Sequence, residues 1–165
     1  MADSSSSSPA LIHNAPQLTL AAAKLISAAC AKKSAEVKMP MNIAIVDSTL
    51  HLLHFERLPG AKLTSIDIAM NKAFTAAGHR APTSIYKENV WPGGKAFGLN
   101  ASNGGKFMYV AGGLPLVVEG TVVGAVGCST APNPDVDVEV ARAGVEAFER
   151  EVQRQKDGGK LKAKL

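Results

Sequence analysis

The strands of this sequence come in runs joined by turns too short for a parallel crossover, and that confines the fold more than any other feature. A parallel connection needs about a dozen residues or more, whereas a turn of a few residues returns the chain antiparallel. Residues 41–47 (MNIAIVD) alternate, with Met41, Ile43 and Ile45 on one face and Asn42, Ala44 and Val46 on the other. A short turn leads into 51–58 (HLLHFERL), ended by Pro59-Gly60. Three further strands are expected at 106–111 (KFMYVA), 115–119 (PLVVE) and 121–128 (TVVGAVGC), with Glu119-Gly120 as a tight turn between the last two.

Helices separate these runs. Thr19 is placed to cap a helix whose stripe is Leu18, Ala22, Leu25 and Ala29, stopped by Met39-Pro40. Thr64 opens a second, with Asp67 at the capping-box distance, a stripe of Ile66, Met70, Ala73 and Ala77, and Gly78 where a C′ glycine belongs. Residues 82–105 are rich in Pro, Gly, Asn and Ser and hold one short helix around 83–89; an irregular stretch of that length is usually functional. Asn133 or Pro134 opens the last helix, to about 155, with Val138, Ala141, Val145 and Phe148 inward. The order α-β-β-α-(α)-β-β-β-α is an α/β chain of the α+β type: a single five-stranded antiparallel sheet with helices packed on it. It is not a doubly wound nucleotide fold. Gly93-Gly94, Gly104-Gly105 and Gly112-Gly113 also lack the spacing of a phosphate loop.

The chain of 165 residues divides into a serine-rich disordered leader (1–16), one domain (17–155) and a basic tail (156–165). Its formal charge of +4 belongs to residues 150–165, where six bases face two acids; the rest holds 12 of each. A neutral globule with a basic end has no face for nucleic acid. No stretch is long and apolar enough for a membrane span. Cys30 and Cys128 lack metal or redox spacing and read as inert thiols in a reducing compartment.

Several motifs, read in order, resemble the GlcG/HbpS family, which includes the C-terminal domain of PduO-type proteins. They are Val46-Asp47, Leu52-Leu53-x-Phe55-x-Arg57, Gly60-Ala61, Asp67-x-Ala69-x-x-Lys72-Ala73, Phe97-Gly98, Asn103-Gly104-Gly105, Gly112-Gly113-Leu114-Pro115, Gly120-x-Val122-Val123-Gly124 and Gly127, spread over roughly residues 17–150. Leu50 departs from the pattern, standing in the first hairpin turn where the family usually has glycine. The resemblance implies a five-stranded sheet in a profilin-like three-layer arrangement, assembly into homo-oligomers and, as in several members, haem binding.

Haem needs an apolar slot, an axial donor and a base for its propionates. His13, just before the first helix, is the axial candidate; His51 and His54 point to opposite faces of one strand, and His79 suits a helix C-terminus. Arg57 and Lys72 are able to clamp a carboxylate, the plainer reading being salt bridges such as Arg57 with Asp67. Asn103, Gly104 and Gly105 suit an anion nest or a plain turn, and Trp91 and Phe97 suit a lid or a subunit contact. The expected function is a small-molecule binding protein, for haem or a similar tetrapyrrole, working as a homo-oligomer without nucleic-acid or membrane partners. The alternative is a metal-independent isomerase, cyclase or lyase for a small carboxylate or carbonyl compound, with Lys72 as base and Asp47 positioning substrate. No metal site is expected. Ala163-Lys164-Leu165 resembles a peroxisomal address for an import receptor. That makes the expected location peroxisomal in a eukaryote and cytoplasmic otherwise.

Overall fold

A computed structural model describes residue 11 and residues 15–159. Helix α1 (Leu20–Glu36) leads into the hairpin β1 (Asn42–Asp47) and β2 (Leu52–Arg57), then α2 (Ser65–His79). Short 3-10 turns punctuate residues 83–105 before the hairpin β3 (Gly113–Val118) and β4 (Thr121–Ser129), and α3 (Pro134–Asp157) closes the order. The described residues form one antiparallel sheet ordered β2-β1-β4-β3.

The sheet has four strands among the described residues, one fewer than expected, because 106–111 is not a strand. Its backbone polar groups find side chains instead. The Met108 amide donates to Thr75 Oγ1 at 2.9 Å, and Thr83 Oγ1 donates to the Val110 carbonyl at 2.8 Å. Thr83 Oγ1 also accepts from the Gly113 amide. Two buried threonines thus satisfy a segment whose apolar alternation reads as a strand.

The layers follow from strand alternation. Ile43, Ile45, Leu116, Val126 and Cys128 face α1 and α3 in the larger core, while Ala44, Val46 and Ala125 face a layer of alanines on α2. Burying a large aliphatic side chain contributes roughly 1.5–3 kcal/mol, so the first face supplies most of the stabilisation. The alanine face instead permits close approach. Gly113 and Gly127 are register partners, and a Cβ on Gly127 would lie 2.1 Å from the Ala69 carbonyl oxygen. α2 therefore rests its backbone on the sheet.

Caps and turns are partly as expected. Thr19 accepts from the Ala22 amide, and Asn133 caps α3. Glu119 and Gly120 both have left-handed φ, 50° and 78°, as a two-residue hairpin turn of the I′ kind needs. The capping box at Thr64 is absent: its side chain makes no cap bond. Gly78 is helical, and Arg80 takes the left-handed position at the end of α2. The helix stripes are also rotated. α1 buries Ala23, Ile26, Ser27, Cys30 and Ser34, and α3 buries Val140 and Gly144 beside the expected Ala141 and Phe148.

Candidate functional site

Three residues of the apolar stripe expected to be core, Leu18, Ala22 and Leu25, pack at the edge of the larger core and also line a groove. Leu18, Ala22 and Leu25, with Pro16 and Ala21, form one wall of a cavity of 340 Å³. Val118 and Val123 supply its floor, and Phe148 and Val152 of α3 the opposite wall. The segment before α1 is strapped to the sheet, with the Leu18 amide donating to the Val123 carbonyl at 3.2 Å and Ser48 Oγ to the Pro16 carbonyl at 3.3 Å. Ligand sites are typically concave, mostly apolar and of this size or larger. The signal was visible in the sequence: α1 is apolar on two adjacent faces, and a helix buries only one in its own core.

Lys72 lies elsewhere. Its side chain is fully buried, and Nζ donates to Asp137 Oδ2 at 2.8 Å and to the Cys128 carbonyl at 3.0 Å. Asp137 Oδ1 accepts from the Thr130 and Ala131 amides. The space for Nζ exists because position 112 is glycine; a Cβ there would lie 2.8 Å from Lys72 Nζ. Burial pulls the Lys72 pKa below its ordinary value, and Asp137 pulls it partly back. The same network reaches Asn42, whose Nδ2 donates to the Lys62 carbonyl and to Thr130 Oγ1. This polar cluster ties α2, β4 and α3 together.

Arg57 is exposed at the end of β2, opposite Asn42, and forms no ion pair with Asp67. Neither Arg57 nor Lys72 lines the groove. Asp47 serves the β1–β2 turn, accepting at Oδ1 from the Thr49 amide, Thr49 Oγ1 and the His51 amide. Burial alone would raise its pKa; these bonds and the nearby His51 outweigh that and lower it. Asp47 pairs with Gly124 and Lys72 bonds at Cys128, so the two are about 13 Å apart along the sheet at 3.3 Å per residue. They share no site.

The 82–105 segment displays its aromatics. Trp91 and Phe97 are 59% and 64% exposed. Asn103, Gly104 and Gly105 all have left-handed φ, and the Gly105 amide is donated to the Ser102 carbonyl. Gly105 also borders a dimple of 170 Å³ with Asn100, Phe107 and Tyr109. His79 bonds the Tyr86 hydroxyl, and the rings of His79, Tyr86 and Phe107 meet edge-on at 4.5–5.7 Å, pinning this segment to α2. Sequence reading missed Phe107, Thr75, Thr83 and Asp137 as partners, since each meets a residue distant in the chain. Cys30 and Cys128 are buried and free, and the Cys30 side chain together with burial pushes the Cys128 thiol well up. His13 and Ala163-Lys164-Leu165 lie outside the described residues. No helix among the described residues is long and apolar enough to cross a membrane.

A family described as haem degrading protein HbpS-like matches residues 18–146, and the chain belongs to that HbpS-like family. An uncharacterised 15.0 kDa protein of the dhaT-dhaS intergenic region of Citrobacter freundii is 38% identical over 112 residues, 68% of this chain and 79% of that one. The solved structure of Klebsiella pneumoniae protein ORFY superposes with a TM-score of 0.84 at 30% identity, over 87% of this chain and 98% of its own. A PduOC–haem complex superposes with a TM-score of 0.75 at 26% identity, over 79% and 94%.

Proposed function

We propose that this protein binds haem or a similar tetrapyrrole, as a homo-oligomer, with the groove between α1 and α3 as the apolar seat. The observation that carries the reading is the apolar groove itself, in a chain that matches the HbpS-like family over residues 18–146. The superposition on a PduOC–haem complex supports the same chemistry.

The lining residues fit the group in one of its three demands. They provide an apolar wall, whereas no base lines the groove and Lys156, beside the lining Gln155, is paired with Glu119. None of the lining side chains among the described residues is a histidine, cysteine, methionine or tyrosine, and the axial candidate His13 lies outside the described residues. When bound, haem would supply redox chemistry at its iron, and the apolar groove residues would shield one edge of the macrocycle from water. The exposed Trp91 and Phe97 support the oligomeric part of the reading, as surfaces awaiting a second copy. The bacterial relatives lend no support to a peroxisomal reading of Ala163-Lys164-Leu165.

Haemin titration of the full chain, followed at the Soret band, tests the proposal. Wild type should give a saturable shift. His13→Ala should change the band position, and Ala22→Trp, which fills the groove, should weaken binding at least tenfold. A wild-type spectrum equal to that of free haemin, or an Ala22→Trp curve superimposable on wild type, would overturn it.

A further inference from the structure

Strict alternation sets His51 and His54, three apart on one strand, on opposite faces. The β1–β2 register corrects that expectation. His54 lies opposite Ile45 and Leu52 opposite Val46, so Leu53 is the extra residue of a bulge. Beyond it the Asp47 amide donates to the His51 carbonyl at 3.0 Å, which sets His51 opposite Asp47. Ile45 and Asp47 are two apart on β1 and share a face, and directly opposed residues of an antiparallel pair share one too. The bulge therefore brings His51 and His54 onto the same face. Their register partners are about 6.6 Å apart at 3.3 Å per residue, a separation that two imidazoles are able to bridge around one ion.

His51 is also held as a metal ligand would be. Thr49 Oγ1 lies 2.7 Å from Asp47 Oδ1 and 2.9 Å from His51 Nδ1. An ionised carboxylate only accepts, so the single hydroxyl proton of Thr49 goes to Asp47. Thr49 Oγ1 must then accept from His51. The ring proton sits on Nδ1, and in the neutral ring the Nε2 lone pair is left bare. Metal-binding histidines are oriented in this manner, with the other ring nitrogen donating to a fixed acceptor. His51 is exposed, and the half-buried His54 ring makes no hydrogen bond or ion pair among the described residues.

From this we infer that His51 and His54 form a two-histidine seat for a divalent transition-metal ion of the zinc class, with Thr49 and Asp47 as its outer support. Imidazole suits zinc, copper and nickel, whereas calcium and magnesium prefer oxygen donors. Among the described residues no group of three histidine, cysteine or acidic side chains could hold a metal ion. The other positions of a zinc tetrahedron therefore fall to water or to a ligand from solution. None of these four residues lines the groove, so the seat is independent of the haem reading.

Isothermal titration calorimetry of the full chain with Zn2+ near neutral pH tests the seat. Wild type should bind one ion through the pair. His51→Ala and His54→Ala should each weaken that binding by about tenfold or more, and the double variant should be little worse than either, because one loss already breaks the chelate. Thr49→Val keeps both rings and removes only the support, and it should weaken zinc about tenfold. Melting curves without zinc check that each variant folds, and His54→Gln replaces His54→Ala if the latter does not. Wild-type binding equal to that of the double variant overturns the seat. So do single variants that each lose one of two separate ions, the mark of independent histidines. A Thr49→Val curve superimposable on wild type overturns the support.

Discussion

Lys72 Nζ lies 2.8 Å from Asp137 Oδ2 with both side chains buried, so α2 and the first turn of α3 are joined by an ion pair closed to solvent. Removing one partner would leave the other charged and unsolvated, at a cost of about 3–5 kcal/mol. Lys72→Met and Asp137→Asn should each lower stability by that order in urea unfolding. The double variant should lose less than the sum, because neither charge is then stranded. Additive losses would show that the two groups act independently.

Gly78 in α2 and Gly127 in β4 should respond oppositely to a methyl group. A Cβ on Gly78 would meet Leu50 at 3.5 Å, an ordinary contact, and the position is helical. Gly78→Ala should therefore stabilise by about 0.5–1 kcal/mol. Gly127→Ala would press a methyl to 2.1 Å from the Ala69 carbonyl oxygen, lifting α2 off the sheet. Its melting temperature should drop markedly, and a change of the same sign in both variants would contradict the packing described.

Asp47 contributes to the acid limb of stability. Its folded pKa is lowered below the ordinary carboxylate value, so its contribution is present above the unfolded value and lost as pH falls through the folded one. Unfolding measured from about pH 5 down to pH 2 should show a steeper decline in wild type than in Asp47→Asn. Parallel profiles would mean that the bonds from Thr49 and His51 do not favour the carboxylate.

Trp91 is the one tryptophan in the sequence and is exposed in the single chain. If the 82–105 segment forms a contact between copies, its emission should shift to shorter wavelength as concentration rises. Trp91→Ser combined with Phe97→Ser should then reduce the mass seen in analytical ultracentrifugation. An unchanged mass would place the contact elsewhere.

Leu50 shows how local rules and tertiary contacts combine. Its sequence departs from glycine at a turn position, and the structure keeps the left-handed φ, 70°, that glycine would have taken. Nonglycine residues there are strained by a kilocalorie or so, and the side chain recovers that by packing on Gly78 and the α2 alanine layer. The departure was legible; its partner, 28 residues on, was not.

The sequence by itself determined the three long helices, the antiparallel hairpins, the alternating faces of β1 and the family, because these depend on residues near one another in the chain. The tertiary structure decided the rest. It turned 106–111 from a strand into a segment held by Thr75 and Thr83, and buried Lys72 against Asp137, 65 residues away. It also opened a groove along Leu18, Ala22 and Leu25 at the edge of the larger core. Periodicity shows which residues avoid water, while the partner that covers them is set by how whole elements dock.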